Sequence, residues 1–188
     1  MDLNQELVEL LNQEGCTIVG FADLRILPDD MRKGRKSLHV GILMGTAYSA
    51  GNTSQLLEQF TDCAVHFLIE RGYKAKTDHK PLKMLGTLSG IGWIGRSAML
   101  TTKTLGPALR LTCVLTNAPF ECGTPITRSL CPPDCTACID VCPSNAIKGD
   151  LWEHGVHRDE FFDVQLCHIG RRTMKCNAKC ISACPFAK

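Results

Sequence analysis

Cys131-Pro132-Pro133-Asp134-Cys135-Thr136-Ala137-Cys138-Ile139-Asp140-Val141-Cys142-Pro143 is answered further along the chain by Cys167 and by Cys176-x3-Cys180-x3-Cys184-Pro185. Eight of the twelve cysteines lie between residues 131 and 188, and four lie before them. In an oxidising compartment such a set would read as a disulfide framework, and in a reducing one as metal or redox chemistry. The start of the chain, Met1-Asp2-Leu3-Asn4-Gln5-Glu6, is acidic and has no basic n-region. Nowhere does an apolar run approach the roughly 18 residues of a membrane span. The expectation is a cytoplasmic protein with reduced thiols.

The two Cys-Pro endings, each preceded by short cysteine spacings, are the signature of bacterial ferredoxin-type cluster binding. Thiolates so spaced can wrap three corners of a cubane from one loop, and the proline ends regular structure where the chain leaves. In two-cluster ferredoxins the fourth cysteine of each run crosses to the other cluster. That rule assigns Cys131, Cys135, Cys138 and Cys184 to one [4Fe-4S] cluster and Cys142, Cys167, Cys176 and Cys180 to a second. The x3 first spacing and the outlying Cys167 depart from the standard run. A pair of four-thiolate zinc sites is the alternative, although zinc knuckles have no need of a terminal Cys-Pro. His154, His157 and His168 flank the cysteines, and four thiolates per cluster leave them no ligand role.

Upstream, the composition changes. The whole chain of 188 residues is 44% hydrophobic with a formal charge of +2, which gives no broad basic field for nucleic acid. Leu3, Leu7, Leu10 and Leu11 lie on one helical face, and the segment ends near Gly15. Residues 17–24 and 38–44 read as strands, the second apolar on both faces. Between them runs the basic turn Arg32–Lys36, a solvated turn or a dock for an acidic partner. Asn52 and Gln55 signal the start of a helix that continues to Gly72. Residues 73–77 suggest a short strand, Pro81 opens a short helix to about Ser89, and residues 109–116 alternate as a strand. The boundary falls near residues 119–130, giving an α/β (α+β) domain over 1–122 and a ligand-stapled one over 123–188. Cys16, Cys63 and Cys113 read as small buried hydrophobes and Cys122 as a passive thiol.

Leu88-Ser89-Gly90-Ile91-Gly92-Trp93-Ile94-Gly95-Arg96-Ser97-Ala98-Met99-Leu100, then Gly106-Pro107, residues 111–119 and the run from Cys135 to Ile147, resemble in order and spacing the central block of the epoxyqueuosine reductase family. The resemblance implies a nitroreductase-like N-terminal domain that binds cobalamin, followed by a ferredoxin-like domain with two [4Fe-4S] clusters. In that family the clusters reduce the cobalt, and the corrin deoxygenates an epoxide on a modified tRNA base; related reductive dehalogenases use the same pairing. A family carboxylate shortly before a proline serves as proton donor, and Asp78-His79-Lys80-Pro81 matches it. Adding electrons to an epoxide or carbonyl leaves an oxyanion that needs a proton, so Asp78 is the catalytic candidate. A homodimer is expected from the nitroreductase-like resemblance. The short Gly45–Gly51 segment, and an end just after Cys184-Pro185 without the family's helical repeats, argue against tRNA as a partner.

Gly90, Gly92, Trp93, Gly95 and Arg96 are the candidate cofactor-binding residues, for cobalamin or a flavin. Tight turns use glycine equally readily, and Trp93 could equally be core. His79 and Lys80 could hold an anion beside Asp78 or lie on a solvated loop. Two functions stay open. One is an iron-sulfur reductase passing electrons to a cofactor or small-molecule substrate, and the other an electron-transfer module serving a partner protein. A cluster-based sensor is a third, without direct support.

Overall fold

The computed structural model describes residues 2–32, 36–48, 51–78 and 81–188. His79, Lys80 and residues 33–35 of the basic turn lie outside the described residues. In chain order the elements are α1 (Leu3–Gln13), β1 (Ile18–Asp23), a 3-10 turn (Leu24–Ile26), β2 (Val40–Ala47), α2 (Thr53–Glu70), β3 (Ala75–Asp78), α3 (Leu82–Leu88), β4 (Gly92–Ile94), β5 (Leu100–Thr102), β6 (Leu109–Thr116), α4 (Ala137–Asp140), α5 (Arg158–Phe161), α6 (Val164–Thr173) and α7 (Lys179–Ser182). They form two compact units: residues 1–91 with 109–125, and residues 92–108 with 126–188.

The first unit is built on a sheet in the order β1-β2-β6-β3, antiparallel at every pairing. β2 lies inside it, which is why its residues are apolar on both faces. Val40, Ile42 and Met44 join Phe21 and Val114 in a core with α1 and α2, where Leu7, Leu11, Phe60 and Leu68 are fully buried. Each such side chain contributes about 1.5–3 kcal/mol by leaving water. The opposite face receives α3. There a methyl on Gly41 would stand 2.6 Å from Leu85, so the glycine lets the helix approach the sheet.

α1 begins with a reciprocal cap: the Asp2 carboxylate accepts from Gln5 N–H at 2.8 Å, and the Gln5 side chain accepts from Asp2 N–H at 3.4 Å. The equivalent signal at α2 marks the start correctly but works differently. Asn52 makes no side-chain cap, because its amide donates instead to the Gln55 side chain at 3.2 Å.

The second unit has little sheet. β4 and β5 form a two-stranded hairpin, and α4 to α7 are short apart from α6. Trp93 of β4 is 1% exposed and meets Phe186 edge-on, with ring centroids 5.1 Å apart. Phe161 and Ala146 fill the other apolar centre, and an isolated bridge joins Ile147 to Phe162. The remainder is loop carrying cysteine.

Candidate metal centre

In the second unit the sequence repeats itself in space. Cys138 sits on α4 and Cys180 on α7, and these two one-turn helices pack against each other. Each is followed by a Cys-Pro step, Cys142-Pro143 and Cys184-Pro185, where the missing N–H halts the helix. α4 is stiffened by the Thr136 hydroxyl, which donates to the Asp140 carboxylate at 2.7 Å. Cys167 rides on α6, capped by the Asp163 carboxylate accepting from Leu166 N–H at 2.9 Å. Around Cys176 the backbone is left-handed at Lys175, Asn177 and Ala178, with φ of 47°, 47° and 54°. Only asparagine of these tolerates that conformation readily, so the loop is held by its surroundings.

Cys131, Cys135, Cys138, Cys180 and Cys184 line one pocket with Gly95, Arg96, Thr101 and Phe186. The thiols feel one another. Cys138 is pushed up to about 11, first by burial and then by negative charge at Cys131, Cys135 and Cys180. Burial, followed by Cys131 and Cys135, also raises Cys184. Cys180 is pushed up to about 11 by burial and then by Cys176, Cys167 and Cys142. These influences put Cys131 and Cys135 near both Cys138 and Cys184, and Cys142, Cys167 and Cys176 near Cys180. Cys138 and Cys180 meet between them.

Cys142 behaves differently. Burial pushes its thiol up, but backbone N–H groups at Ala146 and Ser144, with the Ser144 hydroxyl, outweigh that and leave it below its ordinary value. The Ala146 N–H donates to its sulfur at 3.3 Å. All twelve cysteines are free thiols. Crowded, half-buried thiols can ionise together only if a cation takes up their charge, so this donor set fits a polynuclear iron site. Among the described residues, no group of three or more His, Cys, Asp or Glu side chains is placed to hold a single metal ion.

The Gly-Trp block takes its place partly beside these loops. A methyl on Gly90, at φ +73°, would lie 2.5 Å from the Thr124 carbonyl oxygen; one on Gly92 would lie 2.5 Å from that of Thr101. At Gly95 it would meet Thr101 Oγ1 at 2.9 Å and Cys131 Sγ at 3.5 Å. The three glycines thus let protein approach protein. Trp93 is core, and its Nε1 is buried without a hydrogen-bond partner among the described residues. Arg96 lines the cysteine pocket, 9% exposed, with Nη2 donating to the Pro133 carbonyl at 2.6 Å. Neither the Arg96–Pro133 bond nor the Trp93–Phe186 contact has a local signal in the sequence.

Asp78 closes β3 in the first unit, in register with Cys113 of β6. Its backbone carbonyl accepts from the Cys113 thiol at 2.9 Å. Cys16 and Cys113 are buried, while Cys63 and Cys122 are half-buried, and burial pushes Cys16, Cys63 and Cys122 up. Of the histidines, His157 caps α5, its ring accepting from Asp159 N–H at 3.4 Å.

This mixed α/β fold is that of known reductases. It aligns with the epoxyqueuosine reductase of Streptococcus thermophilus at a TM-score of 0.65 and 15% identity, over 99% of this chain and 66% of that one. A reductive dehalogenase, whose structure suggests a mechanism for B12-dependent dehalogenation, aligns at 0.61 and 16% identity, over 89% of this chain and 28% of that one. At such identities the likeness is one of fold. In sequence, the epoxyqueuosine reductase of Bacillus anthracis is 30% identical over 145 residues, which is 71% of this chain and 35% of the relative. The chain is epoxyqueuosine reductase-like. It spans 20% to 35% of the length of the first curated relatives it matches. No protein-family profile matches it.

Proposed function

We propose that this chain is an iron-sulfur reductase. Cys131, Cys135, Cys138 and Cys184 hold one [4Fe-4S] cluster, and Cys142, Cys167, Cys176 and Cys180 hold the other. The observation that carries this reading is the gathering of Cys131, Cys135, Cys138, Cys180 and Cys184 around one pocket beside the packed helices α4 and α7; the mutual influence of the thiols supports the division into two sets. When bound, such clusters supply single electrons. The chain's own residues fix the thiolates on two packed one-turn helices, shelter them from solvent and brace the Cys131 loop through Arg96 and Pro133. Asp78 is proposed to supply the proton that an oxygen-bearing acceptor needs as it gains electrons.

Cobalamin enters as the electron acceptor implied by the resemblance. Of the five residues proposed to bind it, Gly90, Gly92, Gly95 and Trp93 are packed against protein, and no step is derived through it. A separate cavity of about 290 Å³ in the first unit, lined by Leu24, Leu27, Met31, Leu38, Met84 and Leu115 among others, favours a small-molecule substrate over a purely electron-carrying role.

The test is anaerobic purification followed by iron and sulfide analysis with visible and EPR spectra. About eight irons per chain and a cubane EPR signal on reduction are expected from four-iron stoichiometry. Zinc, or no metal, would end the reading. A corrin band, or its appearance on adding cobalamin, decides the acceptor.

A further inference from the structure

Arg96 is a buried cation without a buried anion. It is 9% exposed, Nη2 is spent on the Pro133 carbonyl, and Nε is buried with no hydrogen-bond partner among the described residues. No carboxylate pairs with it among the described residues, although the exposed arginines at 25 and 158 each have one. Burying a guanidinium without an anionic partner is costly, so such a group is kept where a negative charge faces it. The pocket that Arg96 lines contains all four cysteines of the first set, Cys131, Cys135, Cys138 and Cys184, only Cys180 of the second, and no acidic side chain.

Apart from Cys180, which shares the Arg96 pocket, the other set meets no buried cation among the described residues. Cys142 receives neutral backbone N–H groups, and the basic residues nearest Cys176 and Cys180 in sequence, Arg171, Arg172, Lys175 and Lys179, are exposed, where water screens them. A cluster bound by four thiolates carries net negative charge and gains one more on reduction. A buried fixed cation therefore favours its reduced form more than neutral dipoles do.

We propose that Arg96 makes the two clusters unequal: the one held by Cys131, Cys135, Cys138 and Cys184 has the higher reduction potential, so the first electron into the chain settles beside Arg96. This rests on the cluster reading above. Each step is the uptake of one electron by one cluster, with no bond broken.

The test is an EPR-monitored redox titration of the anaerobically purified full chain, with dithionite as reductant, comparing wild type, Arg96→Gln and Arg96→Lys. Two resolved midpoints are expected in wild type. Arg96→Gln lowers the upper one enough to cut the reduced-to-oxidised ratio at fixed potential tenfold, which is about 59 mV for one electron. Arg96→Lys keeps most of the shift, and the lower midpoint stays in place. Should Arg96→Gln lose iron, the wild type decides: with guanidinium-15N arginine, pulsed EPR of the first-reduced cluster shows 15N coupling, and Arg96→Lys abolishes it. Two clusters with unchanged midpoints in Arg96→Gln, or no 15N coupling, overturn the proposal and leave the clusters standing. Wild type without iron overturns the cluster reading itself.

Discussion

Replacing Gly95 by alanine tests whether the Gly-Trp block is glycine-rich in order to pack the cysteine loops. The added methyl would stand 2.9 Å from Thr101 Oγ1, against at least 3.4 Å for an ordinary contact, so one of them must move by about 0.5 Å. Thr101 is 2% exposed, and its hydroxyl donates to the Met99 carbonyl, which also accepts from Gly95 N–H. Little room exists for retreat. Overpacking of this kind costs about 1–3 kcal/mol, offset by about 0.4–1 kcal/mol from a stiffer unfolded chain, leaving a net loss of about 1–2 kcal/mol. Thr101→Ala alone costs about 1 kcal/mol in lost packing and a long hydrogen bond. It also removes the obstacle, so the double variant is expected near the Thr101→Ala single, a coupling of about 1–2 kcal/mol. Urea titration followed by tryptophan fluorescence reads the relevant unit, because Trp93 and Trp152 both belong to it. Costs that simply add would refute the collision and leave Gly95 free to serve a cofactor.

Cys138→Ser and Cys180→Ser each remove a ligand from a different proposed set, so each is expected to cut iron from about eight to about four per chain by mass spectrometry, and the pair together to abolish it. Asp2→Ala removes the acceptor of the 2.8 Å bond from Gln5 N–H and should lower stability by about 0.5–2 kcal/mol in a urea melt followed by circular dichroism. Asp23 is held below its ordinary carboxylate value chiefly by side-chain hydrogen bonds from Arg25, with burial opposing. A depressed folded pKa gives stability that is present above the unfolded value of about 3.9 and lost as pH falls through the folded one. The small advantage of wild type over Asp23→Asn in urea midpoint should therefore be seen at neutral pH and vanish in strong acid; an advantage that persists there would contradict the assignment.

Strands and helices whose burial repeats with a clear period were legible in the sequence. β2 reads as two-faced because it lies inside the sheet, and α2 as amphipathic because Phe60, Ala64 and Phe67 all reach the same core. The β4–β5 hairpin was not legible, since three-residue strands begun by Gly92 carry no period and look like a turn. The antiparallel order of the sheet could not be read either, because pairing is set by contacts far apart along the chain. At the candidate centre, the short spacings suggest the cluster motif, and the proposed division into two sets follows from the crossing rule of two-cluster ferredoxins rather than from spacing. In the sequence Arg96 stands out only as a neighbour of glycines; its anchor, the Pro133 carbonyl, is 37 residues away, and no local pattern announces a bond of that span.

The hairpin also bears on how this polypeptide could be divided. Residues 92–108 are grouped with 126–188 although 109–125 return to complete the sheet with β6. A fragment starting at residue 126 would keep all eight distal sulfurs yet leave behind Arg96, Thr101 and the indole against which Phe186 rests. The tail is thus not a detachable cassette. Transplanting it to another scaffold would require carrying two separate pieces of chain, and a mobile genetic element that shuffled only the cysteine-rich end would deliver ligands without the wall they lean on.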